Sequence, residues 1–222
     1  MPEVIINGPE GRIEARYHHV AESGAPMALL LHPHPKHGGN MHNKVVYALF
    51  QTFVQRKFST MRFNFRGVGR SQGVYDGGEG EGELCDAAAG LDWLQTYNPN
   101  SNICWVAGFS FGAWIAMQLL MRRPEISGFI SLAPPANTHD FSFLAPCPSS
   151  GLVLHGTKDE VVPEEAMDKL VAKLRSQRNI VIDHRSIDGA DHFFNDKHEE
   201  LVDHVNSYLD VAMATDEEAA YG

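Results

Sequence analysis

The run Val106-Ala107-Gly108-Phe109-Ser110-Phe111-Gly112-Ala113-Trp114 constrains the fold more than any other part of the chain. Ile103 to Ala107 is short, apolar and partly β-branched, as expected of a strand buried on both faces. After it, Ala113, Trp114, Ala116, Met117, Leu119 and Leu120 form a helical run ending near Arg122, Arg123 and Pro124. Gly108 and Gly112 flank Ser110 at i−2 and i+2, where small residues let strand and helix approach closely around a tight turn. A serine at such a turn stands beside the unpaired N–H groups and partial positive charge of a helix start, surroundings that suit an oxyanion. An ordinary glycine-rich strand–helix turn shares the pattern, so its meaning depends on the rest of the chain.

That rest alternates. Val4 to Asn7 and Ile13 to Val20 read as two strands around a turn at Gly8 to Gly11, and Met27 to Leu31 as an apolar strand leading into a loop rich in histidine and proline. A helix follows from about Asn43 to Arg56, a strand from Thr60 to Phe65, and a glycine-rich charged loop from Arg66 to Gly82. Leu84, Ala87, Ala88, Leu91 and Leu94 give the next helix an apolar stripe. Beyond the Ser110 unit come strands at Gly128 to Leu132, Gly151 to His155 and Ile180 to Arg185, with a helix at Glu164 to Arg175 and a last one from roughly Lys197 to Ala212. The expected fold is therefore α/β: a mostly parallel, doubly wound sheet with an antiparallel N-terminal edge, in a single domain spanning 1–212. Residues 213–222 read as a flexible acidic tail. The stretch between Leu132 and Gly151 is too short for a helical cap, so an open pocket without a large cap domain is expected.

The net charge of −10 argues against nucleic acid or an anionic membrane surface as a partner. No stretch reaches the roughly 18 apolar residues of a membrane helix. The first residues lack the charged and apolar regions of a secretory leader. Cys85, Cys104 and Cys147 are scattered and odd in number, which points to free thiols and a cytoplasmic location. A homodimer is compatible with the chain, although no feature places an interface.

A serine hydroxyl needs a base to take its proton, and the base needs a third group to fix its tautomer. In a doubly wound sheet these partners come from beyond the carboxyl ends of later strands. Asp159 follows the strand at Gly151 to His155, and His192 follows the last strand, within Asp188-Gly189-Ala190-Asp191-His192-Phe193-Phe194. Serine, acid and histidine thus arrive in the chain order this architecture uses. Competing readings make Asp159 a cap for the helix after Pro163, Glu160 the rival carboxylate, Asp188 or Asp191 the third member, and His192 a surface histidine. The backbone N–H groups of Phe111 and His34 are the expected oxyanion donors, because Pro33 and Pro35 cannot donate. Trp114, Phe193 and Phe194 are candidates for the pocket wall.

Other clusters have simpler explanations. His32, His34, His37 and His42 lack the spacing and the local carboxylate or thiolate of a metal site, so neither metal nor cofactor is expected. Glu79, Glu81, Glu83 and Asp86 read as a solvated face or helix start. Asn64-Phe65-Arg66-Gly67-Val68-Gly69-Arg70-Ser71 lacks the lysine-serine ending of a phosphate loop; Arg66 is expected to pair with an acidic residue.

The chain resembles the α/β-hydrolase superfamily and, within it, small bacterial hydrolases related to dienelactone hydrolases and short peptidase-like esterases. Leu31-His32-Pro33-His34-Pro35 with Gly38-Gly39-Asn40-Met41, Arg62 through Ser71, Gly108 through Gly112, and Asp191 through Phe194 carry the likeness. The resemblance implies Ser110 as nucleophile, Asp159 as acid, His192 as base and His34 as oxyanion-loop donor. Pro33 stands where many members have glycine, and Ser110 where dienelactone hydrolases have cysteine. The expected activity is hydrolysis of small carboxylic esters through an acyl-enzyme. Hydrolysis of a peptide or amide, a binding role on the same fold, and a complex mediated by the acidic surface are the alternatives.

Overall fold

The computed structural model describes residues 3–75, 77 and 80–221, the last seven of these as backbone only. Eight strands form one sheet in the order β1-β2-β4-β3-β5-β6-β7-β8, comprising β1 (Glu3–Gly8), β2 (Gly11–His18), β3 (Met27–Leu31), β4 (Ser59–Phe63), β5 (Cys104–Phe109), β6 (Gly128–Leu132), β7 (Gly151–Gly156) and β8 (Ile182–Ile187). β1 pairs with β2, and β2 with β4, antiparallel; every other pairing is parallel. The expected antiparallel N-terminal edge is therefore present.

Five helices cover the sheet: α1 (Lys44–Gln55), α2 (Glu81–Tyr97), α3 (Phe111–Arg122), α4 (Glu164–Arg175) and α5 (His198–Tyr221). α5 continues past Ala212, the end expected from the apolar pattern. β3 shows how a period of two divides the core. Met27, Leu29 and Leu31 pack in the cluster under α2, α3 and α4, whereas Ala28 and Leu30 pack in the cluster under α1 and α5. Each strand from β3 to β7 is buried along its whole length, which is why β3 and β5 to β7 read as mainly apolar runs; β4 is the exception, with Ser59, Thr60 and Arg62 buried in it. The Asn43 side chain starts α1 by accepting from Val45 N at 2.9 Å and Val46 N at 3.4 Å. Between β6 and β7 no helix forms, so the carboxyl edge of the sheet carries no cap.

The acidic cluster does stand at a helix start, with Glu81 and Glu83 in the first turn of α2, but most of its described members are not solvated. Glu81 is exposed, but Glu83 and Asp86 are each only 1% exposed, and Glu79 lies outside the described residues. Asp86 faces the sheet rather than water because α2 packs across the start of the loop after β4. There Arg66 grips it with Nη2 at 2.9 Å and Nε at 3.1 Å, while Arg66 N–H adds a third bond at 2.9 Å. Arg66 also reaches Glu10 at 2.5 Å, tying the β1–β2 turn to the same knot. The Asp86 hydrogen bond strengthens the hold of the guanidinium on its proton. Removing one partner of a buried pair strands a charge in low dielectric, so Asp86→Ala is expected to cost about 3–5 kcal/mol. A urea midpoint that moves by less than a tenth would contradict that.

Candidate active site

Ser110 is the first residue beyond β5 and the last before α3. Its φ of 54° and ψ of −121° lie outside the regions ordinary residues prefer, as a sharp strand–helix turn requires. The turn is fixed by Ser110 N–H donating to Leu132 O at 2.8 Å and by Ala113 N–H returning to Ser110 O at 2.9 Å. A Cβ at Gly112 would overlap the backbone carbonyls of Leu31 and His32. Glycine therefore lets the start of α3 close onto the end of β3.

His192 comes from the loop after β8. Its Nε2 lies 3.0 Å from Ser110 Oγ and its Nδ1 lies 2.8 Å from Asp159 Oδ2. With Asp159 ionised, Nδ1 carries the proton and Nε2 is left to accept the serine hydroxyl proton. Asp159 is held from behind: its Oδ1 accepts from Val161 N and Val162 N, both at 2.8 Å. The partner reading is the one realised: α4 starts at Glu164 with no side-chain cap bond, and the second Asp159 oxygen ties the turn ahead of it instead of capping the helix. Asp159 is 8% exposed and His192 6%. Glu160 is exposed, Asp188 accepts from Thr157 Oγ1 at 3.1 Å, and Asp191 accepts from Phe193 N at 3.0 Å and Asn195 N at 2.9 Å. Asp191 thereby shapes the loop that presents His192, without being its carboxylate partner.

The loop after β3 supplies the other side. Phe65 N–H donates to His32 Nε2 at 3.0 Å, which leaves the proton on Nδ1, and that proton is donated to Pro33 O at 2.7 Å. Pro33 O belongs to the same trans peptide as His34 N–H, and the two lie in its plane and point in opposite directions. The buried imidazole therefore sets the orientation of the His34 amide. Gly39 makes room for this arrangement, since a Cβ there would strike the Pro33 and His34 carbonyls. The next turn of the loop is clamped from β4: Asn64 Oδ1 accepts Met41 N–H at 2.8 Å, and Arg62 Nη1 donates to Met41 O. Among the described residues, neither His34 N–H nor Phe111 N–H has a protein acceptor. The His34 ring packs 5.0 Å from that of Phe111, so the loop after β3 lies against the residue that follows Ser110.

The four histidines of this region do not form one cluster, although the His34 and His37 rings pack 4.9 Å apart. His32 is fully buried, His34 accepts Lys36 N–H at Nδ1 and meets Tyr75 OH at 3.0 Å through Nε2, and His37 and His42 are exposed. Among the described residues no three His, Cys, Asp or Glu side chains converge as metal ligands. Of the pocket candidates, Phe193 is 49% exposed beside His192, and Trp114 lies at the edge, its Nε1–H donating to Asp140 O at 3.0 Å. Phe194 corrects the expectation: it is 0% exposed, turned into the core under α1 and α5 against Phe109, because the tight turn at 191–194 sends successive side chains to opposite sides.

The fold and this arrangement of groups define an α/β hydrolase: a serine at the β5–α3 turn, a carboxylate after β7 and a histidine after β8. The chain belongs to that superfamily, within the Hydrolase_4 family described as serine aminopeptidase, S33, whose profile matches residues 35–150. It is 58% identical to a protein of unknown function from Agrobacterium tumefaciens, covering 96% of this chain and 97% of that one with a TM-score of 0.93. It is 34% identical to an α/β serine hydrolase homologue from Coxiella burnetii, covering 94% and 97% with a TM-score of 0.82. A third similar structure, from Xanthomonas campestris, is described as an α/β serine hydrolase without lid; identity is 30%, coverage 94% and 93%, and TM-score 0.82.

Burial lowers the His32 pKa from 6.5 to about 4, outweighing the Pro33 hydrogen bond that favours the proton. The sign follows directly. Above pH 6.5 the imidazole is neutral whether folded or unfolded; below it, only the unfolded chain gains the proton. Stability is expected to fall by about 3 kcal/mol as pH drops from 6.5 towards 4, and to change no further from this group below that. Comparing urea unfolding of the wild type and His32→Gln across this range checks it: the variant should lose that slope, and an unchanged slope would refute the assignment.

Proposed function

We propose that the protein is a serine hydrolase that cleaves small carboxylic esters through an acyl-enzyme. The observation that supports this most is the continuous hydrogen-bonded line from Ser110 through His192 to Asp159, at 3.0 and 2.8 Å, beside two backbone N–H groups without protein acceptors. In this reading His192 Nε2 takes the Ser110 proton as Oγ attacks the ester carbonyl carbon. The electron pair of the C=O moves to oxygen, where Phe111 and His34 N–H groups receive it. Asp159 holds the imidazolium, which then gives its proton to the departing alcohol. Water, deprotonated by the same Nε2, attacks the acyl group, and Ser110 Oγ leaves with the returned proton.

Peptide or amide hydrolysis is the second reading, favoured by the serine aminopeptidase description of the matching family. It needs proton delivery to an amine leaving group, and His192 Nε2 is the group placed to make it. Among the described residues no helix is long and apolar enough to cross a membrane.

Hydrolysis of p-nitrophenyl esters from acetate to decanoate tests the proposal. Ser110→Ala is expected to lower kcat by about 10⁴-fold or more. Equal turnover by the folded variant would sink the reading, and turnover of aminoacyl p-nitroanilides alone would move it to the second. Because His32 orients one oxyanion donor, His32→Phe is expected to lower kcat by about 10²-fold with KM little changed. A change confined to KM would show that its effect lies elsewhere.

A further inference from the structure

A groove of about 470 Å³ lies between the segment that leaves β6 and the first turns of α4. Its floor is apolar, with Ala136, Phe141, Ala166 and Leu170 along it; Phe141 and Leu170 are each only 6% exposed. Two fastenings tie its walls to the elements that carry Ser110 and Asp159. On one side His139 lines the groove while its ring packs 4.5 Å from Trp114 and 6.1 Å from Phe111, the residue after Ser110. On the other, Asn137 Nδ2 donates to Val161 O at 2.9 Å, and Val161 N is one of the two donors that hold Asp159. Exposed Val161, at 53%, extends apolar surface between the groove and that carboxylate.

The charges of the groove balance. Its two lysines, Lys169 and Lys173, are matched by Asp140 and Glu165, and Lys169 pairs with Glu165 at 2.7 Å. Its lining therefore offers buried apolar contact and no net attraction for an anion or cation. A leaving alcohol departs towards His192 Nε2, so the acyl part of an ester lies on the Phe111 side, where the groove begins.

We infer that this groove is the acyl subsite and that the substrate is an ester of an extended, uncharged aliphatic acid, with the chain end seated on Phe141, Ala166 and Leu170. The inference rests on the serine-esterase reading for the direction of the acyl group. A volume of this size holds a medium-length chain. Transfer of each methylene from water to such a floor is favourable, whereas a terminal carboxylate would lose hydration and meet the Asp140 and Glu165 carboxylates alongside the two lysines.

The test compares p-nitrophenyl acetate, p-nitrophenyl octanoate and the mono-p-nitrophenyl ester of octanedioic acid on the wild type, Ala166→Trp and the size control Ala166→Ser. The expected result is kcat/KM at least tenfold higher for octanoate than for acetate, with the octanedioate ester at least tenfold below octanoate. Ala166→Trp should abolish the octanoate preference, bringing the octanoate-to-acetate ratio to about one, while Ala166→Ser keeps the ratio of the wild type. An octanoate-to-acetate ratio untouched by Ala166→Trp, or equal use of the octanedioate ester, would overturn the assignment. If no ester shows turnover that depends on Ser110, the esterase reading fails, and calorimetric titration with octanamide decides the groove alone. Saturable binding lost in Ala166→Trp supports it; no binding to the wild type overturns it.

Discussion

At Gly112 the backbone of α3 lies against the carbonyls of Leu31 and His32, nearer than any side chain would permit. This contact brings the β5–α3 turn and the loop after β3 within reach of each other. On it depend the packing of the His34 ring on Phe111 and the position of Ser110 relative to both. The strained backbone of Ser110 is tolerated because neighbouring strands over-determine it, with its N–H bound to Leu132 O and its C=O to the first turn of α3. A residue larger than glycine at 112 would push the Ser110 turn away from the loop after β3 even if the sheet remained intact.

The loop after β3 has no regular structure to hold it beyond a single 3₁₀ turn at Pro35–His37, yet its key peptide is fixed from several directions. His32 bridges from Phe65 N–H to Pro33 O, Asn64 receives Met41 N–H, and Arg62 takes Met41 O. Arg62 is 4% exposed and lies 5.0 Å from each of the Tyr47 and Phe50 rings, so its charge is accommodated by two aromatic faces and a carbonyl. A histidine-rich segment that looks from its composition like a ligand set is, in three dimensions, one structural imidazole, one pocket imidazole and two exposed side chains.

Much of the fold was legible because its physics is local. Strand and helix alternation, the continuous apolar runs of the inner strands, and the two antiparallel strands at the amino end all follow from composition and periodicity. Ser110, Asp159 and His192 could be chosen because each follows a strand that ends on the same edge of a parallel sheet. Their distances could not, since they depend on loop conformations closing 33 and 82 residues apart. The burial of Asp86 was missed because its partner, Arg66, lies in a different loop, and local sequence cannot distinguish a solvated helix start from one pressed onto a distant cation. Phe194 was misplaced because adjacent aromatic residues in a tight turn face opposite ways. The role of His32 had a signal that was available: it continues the Ala28, Leu30 alternation into the core, so an inward-facing imidazole seeking two partners was to be expected.

The bare stretch between β6 and β7 has a kinetic consequence. Where a helical lid closes over a serine hydrolase site, it shelters the covalent intermediate and lets a second bound molecule compete with solvent for it. Here the segment from Ala133 to Ser150 contains only turns, and Ser110 is partly exposed beneath it. An acyl group carried on Ser110 would face bulk solvent from the moment it formed. Partitioning would then run towards release of a free acid rather than handover to another acceptor, and discrimination between substrates would have to be complete before the first bond is made.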